Sequence, residues 1–268
     1  MADDGSLQRA WACPNGLAAT LTHYPGAARH APHAHDHLQI SFLLASAMHE
    51  TLEGRDYAAC GVWRGHKPAG AVHSDAWGAS GVLVFTLRLD EAYARRVGAF
   101  DEPGWAPVAE PRLVKRLVRL FAAEAMPQWR AQAAADLFAR QSEDERPRAA
   151  APSWLKRARE AIEDDPDGTS IEVAAGAAGI HRVHLSRMFR RFYGVPPSLY
   201  RRNLLVARAA SALVRSGTPL AQVAADAGFC DQSHLSRAMR SAVALTPGEL
   251  RALLMPLHAS NPPGGGSC

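Results

Sequence analysis

The sequence predicts a two-domain α+β chain: an N-terminal antiparallel β barrel with accompanying helices, then an all-α domain built from two helix-turn-helix units. Three observations carry this. At 268 residues the chain is long for one small domain and suits two, each burying its own core. Short β-type runs broken by Gly, Pro and Asp fill the stretch from Leu17 to about Leu89, whereas the pattern is wholly helical from Trp154 onward. The helical half also contains an internal repeat, with Val173 to Arg201 aligning without gaps on Val223 to Arg251.

In the N-terminal half, Leu38 to Leu44 and Val82 to Leu89 are the clearest strands. Pro111 opens an amphipathic helix whose Leu113, Leu117, Leu120 and Phe121 share one side, with Arg112, Lys115, Arg116 and Arg119 on the other. Pro127 interrupts it before a second helix, Trp129 to Arg140. This pair either packs on the β domain or joins a second copy into a homodimer. Ser142 to Pro152 is polar and Pro/Ala-rich and is expected to be the linker. The expected units are therefore 1–141, a linker at 142–152, the helical domain at 153–255, and a Gly/Pro-rich disordered tail at 256–268.

The formal charge of +4 is unevenly placed: residues 1–149 hold 16 Lys/Arg against 17 Asp/Glu, and residues 150–268 hold 14 against 9. A basic half beside a near-neutral one fits phosphate neutralisation by a nucleic-acid-binding module. Cys13, Cys60, Cys230 and Cys268 are scattered, and the N-terminus has no basic region followed by an apolar run. No segment approaches the ~20 apolar residues that span a bilayer. These features point to a cytoplasmic chain with reduced thiols and no membrane partner.

In each copy of the repeat a short Ala-rich helix (Ile171 to Ala178; Leu220 to Ala227) meets a turn containing Gly179 or Gly228, then an Arg-bearing second helix. Small Ala side chains let two helices approach closely and Gly relieves the tight turn. Leu185, Met188, Phe189 and Phe192 form the apolar face of the first copy's second helix, leaving Arg182, Val183, Ser186, Arg187 and Arg190 outside. In the second copy Leu235, Ala238 and Met239 point inward, with Gln232, Ser233, Ser236, Arg237 and Arg240 outside. Arg suits guanine edges, Gln suits adenine and Ser tolerates either, so both N-terminal turns are equipped for the major groove of double-stranded DNA. Arg190 and Arg240 lie further along, where phosphates are in reach. Leu199 to Leu213 is the helix that joins the two units.

Ala178-Gly179-Ile180, the run His184 to Arg191, Gly194 with Pro196-Pro197 and Tyr200, Ala227-Gly228-Phe229 and Thr246-Pro247 resemble the AraC/XylS family of regulators, over about Ser153 to Leu254. The resemblance implies a seven-helix unit with two helix-turn-helix motifs that contacts adjacent major grooves and often recruits RNA polymerase. Leu235 and Met239 stand where that family usually has aromatics, Ala244 replaces a Gly, and Leu204 sits where a basic residue is common.

Eight of the twelve His residues fall between His23 and His73. On a strand, His33, His35, His37 and Gln39 would share one face and converge on one cavity. Gly26, His33, His35 and Gln39, then Pro68, Gly70 and His73, resemble the two cupin motifs. The resemblance implies a metal site of His33, His35, His73 and Gln39, whose donors suit Zn, Fe, Ni or Mn. Gln39 stands where Glu is usual, and Trp77 replaces the closing Asn of the second motif. Two other readings stay open: the imidazoles hydrogen-bond an organic effector in an apolar barrel, with His37, Trp63 and Trp77 in its wall, or they are a relic satisfied by backbone carbonyls.

The sequence thus predicts a non-enzymatic, sequence-specific transcription regulator switched by a small molecule or metal. A metal-dependent cupin enzyme with an accessory helical half, and a constitutive regulator with a vestigial barrel, are the alternatives.

Overall fold

The computed structural model describes residues 5–45, 47–60, 62–98, 102–108, 110–139 and 151–255. In chain order the strands are β1 (Leu7–Ala12), β2 (Leu17–Tyr24), β3 (Arg29–His33), β4 (Leu38–Ala45), β5 (Ala47–Leu52), β6 (Arg55–Cys60), β7 (Trp63–Lys67), β8 (His73–Trp77), β9 (Val82–Leu89) and β10 (Gly104–Pro107). The helices of the same half are α1 (Glu91–Val97), α2 (Pro111–Ala122) and α3 (Pro127–Ala139). The C-terminal half is all helix: α4 (Ser153–Asp164), α5 (Ile171–Ala177), α6 (Arg182–Tyr193), α7 (Pro197–Arg215), α8 (Leu220–Asp226), α9 (Gln232–Val243) and α10 (Pro247–Leu254). The expected disordered tail lies outside the described residues, as does the expected linker up to residue 150.

The strands form two antiparallel sheets, ordered β1-β2-β9-β4-β7-β10 and β3-β8-β5-β6. β9 shows why they stack: Val82 and Val84 face the four-stranded sheet, while Leu83, Phe85, Leu87 and Leu89 face away from it. A strand apolar on both faces must be covered on both. The sandwich interior takes Leu43, Met48, Trp63, Trp77 and Trp105; the other face of the six-stranded sheet takes helices.

Those helices come from both halves of the chain. Val114, Leu117, Val118 and Phe121 of α2 share one continuous core with Ile40, Phe42 and Phe85 of the sheet and with Val206, Ala209, Leu213, Leu235, Met239 and Leu250 of the second helix-turn-helix unit. The first unit has a core of its own, built from Leu155, Ile162, Ala174, Leu185, Phe189, Tyr193 and Tyr200. Two domains with separate cores were expected; instead the second unit and the sheet bury each other's apolar faces.

Polar contacts pin the same seam. His23 Nε2 donates to Ser211 Oγ (2.8 Å), which donates to the Ser80 carbonyl (2.8 Å). This requires close backbone approach, because a Cβ on Gly81 would lie 2.5 Å from Ser211 Oγ, and Gly81 holds φ +75°. Lys115 and Arg119 of α2 donate to the carbonyls of Ser241 and Ala244 at the end of α9, the latter at 3.1 Å. These two cations, on the side of α2 opposite its apolar stripe, are engaged by the neighbouring helix. The apolar face of α2 is spent on its own chain, which leaves the α3 flank, with Met126 and Trp129 exposed, as the free surface of the helix pair.

The strand expectation erred at its ends. β1, β10 and α1 lie outside the stretch from Leu17 to Leu89. Each is short, and the β1 pattern of one buried residue in six gives little period to read. Pro127 does not so much interrupt a helix as begin α3, the position where its missing N–H costs nothing.

Candidate nucleic-acid interface and histidine cluster

The two copies of the repeat fold alike down to their hydrogen bonds. After α5, Gly179 (φ +68°) donates to the Gly176 carbonyl and Ile180 to the Ala175 carbonyl, both at 3.0 Å. After α8, Gly228 (φ +83°) donates to Ala225 at 3.0 Å and Phe229 to Ala224 at 2.8 Å. This paired pattern is the left-handed glycine stop of a helix, and it turns the chain sharply into α6 or α9. His181 then caps α6 by accepting from the Val183 amide (3.3 Å), and Asp231 caps α9 by accepting from His234 (2.6 Å).

Leu185 and Phe189 of α6, and Leu235, Ala238 and Met239 of α9, are buried. Arg182, Val183, Arg187 and Arg190 are exposed, as are Gln232, Ser233, Arg237 and Arg240; Ser186 and Ser236 are half-buried. The outward sets correspond position by position across the repeat. Among the described residues, none of Arg182, Arg187, Arg190, Arg237 and Arg240 makes an ion pair or hydrogen bond within the chain. Their five guanidinium groups are therefore available to a ligand. Val183, at 51% exposure, adds an apolar contact of the kind that suits a thymine methyl.

One repeated arginine has a different task. Arg201 donates to the carbonyls of Pro166 and Asp167, both at 2.6 Å, and its counterpart Arg251 to those of Leu213 (3.2 Å) and Thr218 (2.6 Å). In each unit this side chain fastens the loop before the first helix.

The histidines gather differently from the expectation. β3 ends at His33, a turn follows, and β4 begins at Leu38, so His33 through Gln39 do not share one strand face. His33, His35 and His73 come together, with one ring nitrogen of each within 4.8 Å of the others. His37 is drawn aside by Asp36 (2.7 Å), Arg88 (2.9 Å) and the side-chain nitrogen of Gln39 (3.1 Å). His33 Nδ1 meets the Ala31 carbonyl at 2.9 Å and His73 Nδ1 the Ala71 carbonyl at 3.3 Å. Each Nδ1–H is thereby donated to a carbonyl, which leaves Nε2 as the ring atom that can reach a metal. Burial holds His35 and His73 at about 4, helped by neighbouring cations, so both are neutral at pH 7.

A polar cluster that sequence reasoning missed lies beside them inside the sandwich. Glu50 accepts from Trp105 Nε1 (2.9 Å) and from Lys67 Nζ (2.8 Å), and Asp75 pairs with His30 (3.3 Å). Burial pushes the Glu50 carboxyl up. Burial also opposes ionisation of Asp75, but hydrogen bonds from His30 and Glu50 and the Lys67 charge hold it well down. Its only sequence signal is the phase of Glu50 with Met48 and Leu52 along β5.

A cavity of about 1070 Å³ separates the four-stranded sheet from α4 and α6. Trp63 lines it, and its Nε1 donates to the Tyr193 carbonyl (3.2 Å). Trp77 and His37 do not line it. Trp77 is stacked on Tyr24 at 4.8 Å within the core, and His37 is held at the other end by Arg88.

A β sandwich joined to a pair of helix-turn-helix units with exposed arginines fits a DNA-binding regulator. Residues 155–252 match the family model described as a helix-turn-helix domain, of AraC type. Among solved structures, an AraC-type DNA-binding regulator from Chromobacterium violaceum is 28% identical, covering 39% of this chain and 94% of that one, with a TM-score of 0.36. ToxT from Vibrio cholerae, solved with an unsaturated fatty acid bound, is 11% identical over 91% of this chain and 98% of its own, with a TM-score of 0.38. An RmlC-like cupin from Shewanella frigidimarina is 17% identical over 33% of this chain and 79% of its own, with a TM-score of 0.31. The comparison with curated proteins returned no match. No helix among the described residues is long and apolar enough to cross a membrane.

Proposed function

We propose that this chain is a one-component regulator in which α6 and α9 read two successive major-groove segments of one duplex while the N-terminal sandwich senses a small molecule or metal. The observation that carries the reading is the position-by-position match of two exposed outward sets, each presenting arginines with no hydrogen bond or ion pair among the described residues. Arg187 and Arg237, one turn into their helices, are assigned base edges; Arg190 and Arg240, a turn later, are assigned phosphates. The working division stays 1–141, 142–152, 153–255 and 256–268, with function rather than core setting the boundary. RNA polymerase is the natural partner of such a domain on a promoter. Pairing of two copies, where it occurs, falls to the α3 flank.

His33, His35 and His73 fit a divalent transition metal, because three clustered imidazoles, two of them with Nδ1 anchored on a carbonyl, form a ready ligand set. A bound metal would supply a Lewis-acidic point of attachment for an effector. His33, His35 and His73 would hold the ion, with Gln39 Oε1 as the fourth donor, its Nε2 being bonded to His37 at 3.1 Å.

Selection of bound sites from random DNA tests the main reading. The expected product is a site of two short elements about one helical turn apart, and Arg187→Ala and Arg237→Ala should each relax preference in a different element by about 1–3 kcal/mol. A loss uniform across all sequences would reassign both residues to phosphate, and a single conserved element would remove the two-groove geometry.

A further inference from the structure

The two Arg-bearing helices start on caps of opposite hydrogen-bonding character. α6 begins on His181, whose Nδ1 accepts from the Val183 amide (3.3 Å). α9 begins on Asp231, whose carboxylate accepts from the His234 amide (2.6 Å). Ser, Thr, Asp and Asn are the usual residues at such a position, and each caps with an oxygen. An imidazole can do the same in one tautomer only. A ring nitrogen that accepts carries no proton, so the ring proton of His181 is on Nε2, and the side chain offers a donor. Asp231 has only its second oxygen to offer, an acceptor.

His181 is exposed, and among the described residues its ring makes no hydrogen bond or ion pair besides the capping one. The next imidazole of α6 is committed: His184 lies against Trp154 at 5.5 Å, as its repeat counterpart His234 lies edge-on to Phe229 at 5.2 Å. His181 stands directly before Arg182 and Val183 of the outward set. With Nδ1 turned to the first-turn amide, the divergent Nε2–H is directed off the end of the helix. The cap already fixes the ring, so little side-chain freedom is lost when that donor meets an acceptor. A short, anchored ring meets the acceptor nearest the wall of the major groove, purine N7, rather than the carbonyls O6 and O4 nearer its middle.

We propose that His181 is a further specificity residue, which selects a purine in the α6 element of the site by donating its Nε2–H to N7, and that the second unit, capped by Asp231, makes no such contact. The proposal deepens the regulator reading and rests on it. Six residues, about 9 Å of helix, separate His181 from Arg187, so the purine is a different base from the one assigned to Arg187. The two caps thereby make the two elements unlike at corresponding positions, which gives the site a direction.

Titration of the full chain on its selected operator tests it, with the purines replaced one at a time by 7-deazapurines, which carry C–H in place of N7 and still pair. One replacement in the α6 element, away from the Arg187 contact, should weaken binding about 3–10-fold. His181→Ser keeps a capping oxygen for the Val183 amide and lacks the Nε2–H. It should bind the natural operator weaker by the same factor and be indifferent to that replacement, while its unchanged responses in the α9 element show that the variant is folded. His181→Asp, which gives α6 the cap of α9, should drop guanine from that position when sites are selected again. The proposal is overturned if wild type and His181→Ser respond alike to every replacement, or if His181→Ser weakens all sequences equally, which would give His181 to a phosphate. A two-element operator with no position that depends on His181 sinks this assignment alone, whereas failure to select any operator sinks the regulator reading and this assignment with it.

Discussion

His23 shows how much a single side chain contributes to the seam between the halves. Burial, and then the charge of Arg215, lower its pKa to about 4 from an ordinary 6.5, and its Nε2 proton is committed to Ser211. The unfolded chain therefore takes up a proton at this residue before the folded one does. Stability is complete above pH 6.5 and is lost as pH falls from 6.5 towards 4, with His23 contributing up to about 1.4 kcal/mol per pH unit. Denaturant midpoints measured from pH 7.5 to 4.5 should show this fall, and His23→Gln, which keeps a donor for Ser211 but cannot titrate, should remove about one proton from the slope. An unchanged slope would assign the acid sensitivity elsewhere. At this scale the sequence was legible where periodicity decides burial, as for Leu185 and Phe189. It was silent where a side chain crosses between halves: nothing near His23, Ser80 or Ser211 announces their partnership. Arg201 and Arg251 were visible as an identity of the repeat, yet only the structure distinguishes their carbonyl bonds from DNA-facing roles.

Among the elements, α2 and α9 are joined across the halves by bonds from side chain to carbonyl. α9 ends at Ala244, a non-glycine held at φ +65°, which costs strain that the equivalent Gly194 avoids. Arg119 and Lys115 donate to the carbonyls at that end, where the helix dipole favours positive charge. Arg119→Ala should lower stability by about 1–2 kcal/mol and weaken contacts in the DNA element read by α9, leaving the α6 element intact in a footprint. Equal loss of both elements would mean that α2 supports the whole domain rather than one helix. The substitutions of aromatics by Leu235 and Met239 belong to the same adjustment, since both are wholly buried against the sheet side of the shared core. Helices announced themselves in the sequence through period, caps and glycine stops. The histidine loop did not, because a two-residue spacing reads as strand until a turn is known to intervene at residues 34–37.

For the molecule as a whole, the shared core sets which parts unfold together. Since the second unit and the six-stranded sheet bury one another, amides of α9 and β9 should exchange hydrogen with a common protection, while α5 and α6, with a separate core, open at lower free energy. If α9 instead exchanged in step with α6, the two units would be one folding body and the seam only a surface contact. The sequence suggested two halves joined at a polar linker, because linkers are local and cores are not. Complementary apolar faces 100 residues or more apart, such as Phe85 with Leu213, leave no local signature.

α7 is common to both units. Tyr200 and Leu204 near its start belong to the first unit's core, and Val206 to Leu213 belong to the core shared with the sheet. Its 19 residues make a rod of about 28 Å, so the relative angle of α6 and α9 is written into its length. One residue added to its middle would swing one unit by about 100° around the other. On the proposed two-groove reading, duplex targets would be restricted to a single phasing of the two elements, with no flexible tether to absorb altered spacing.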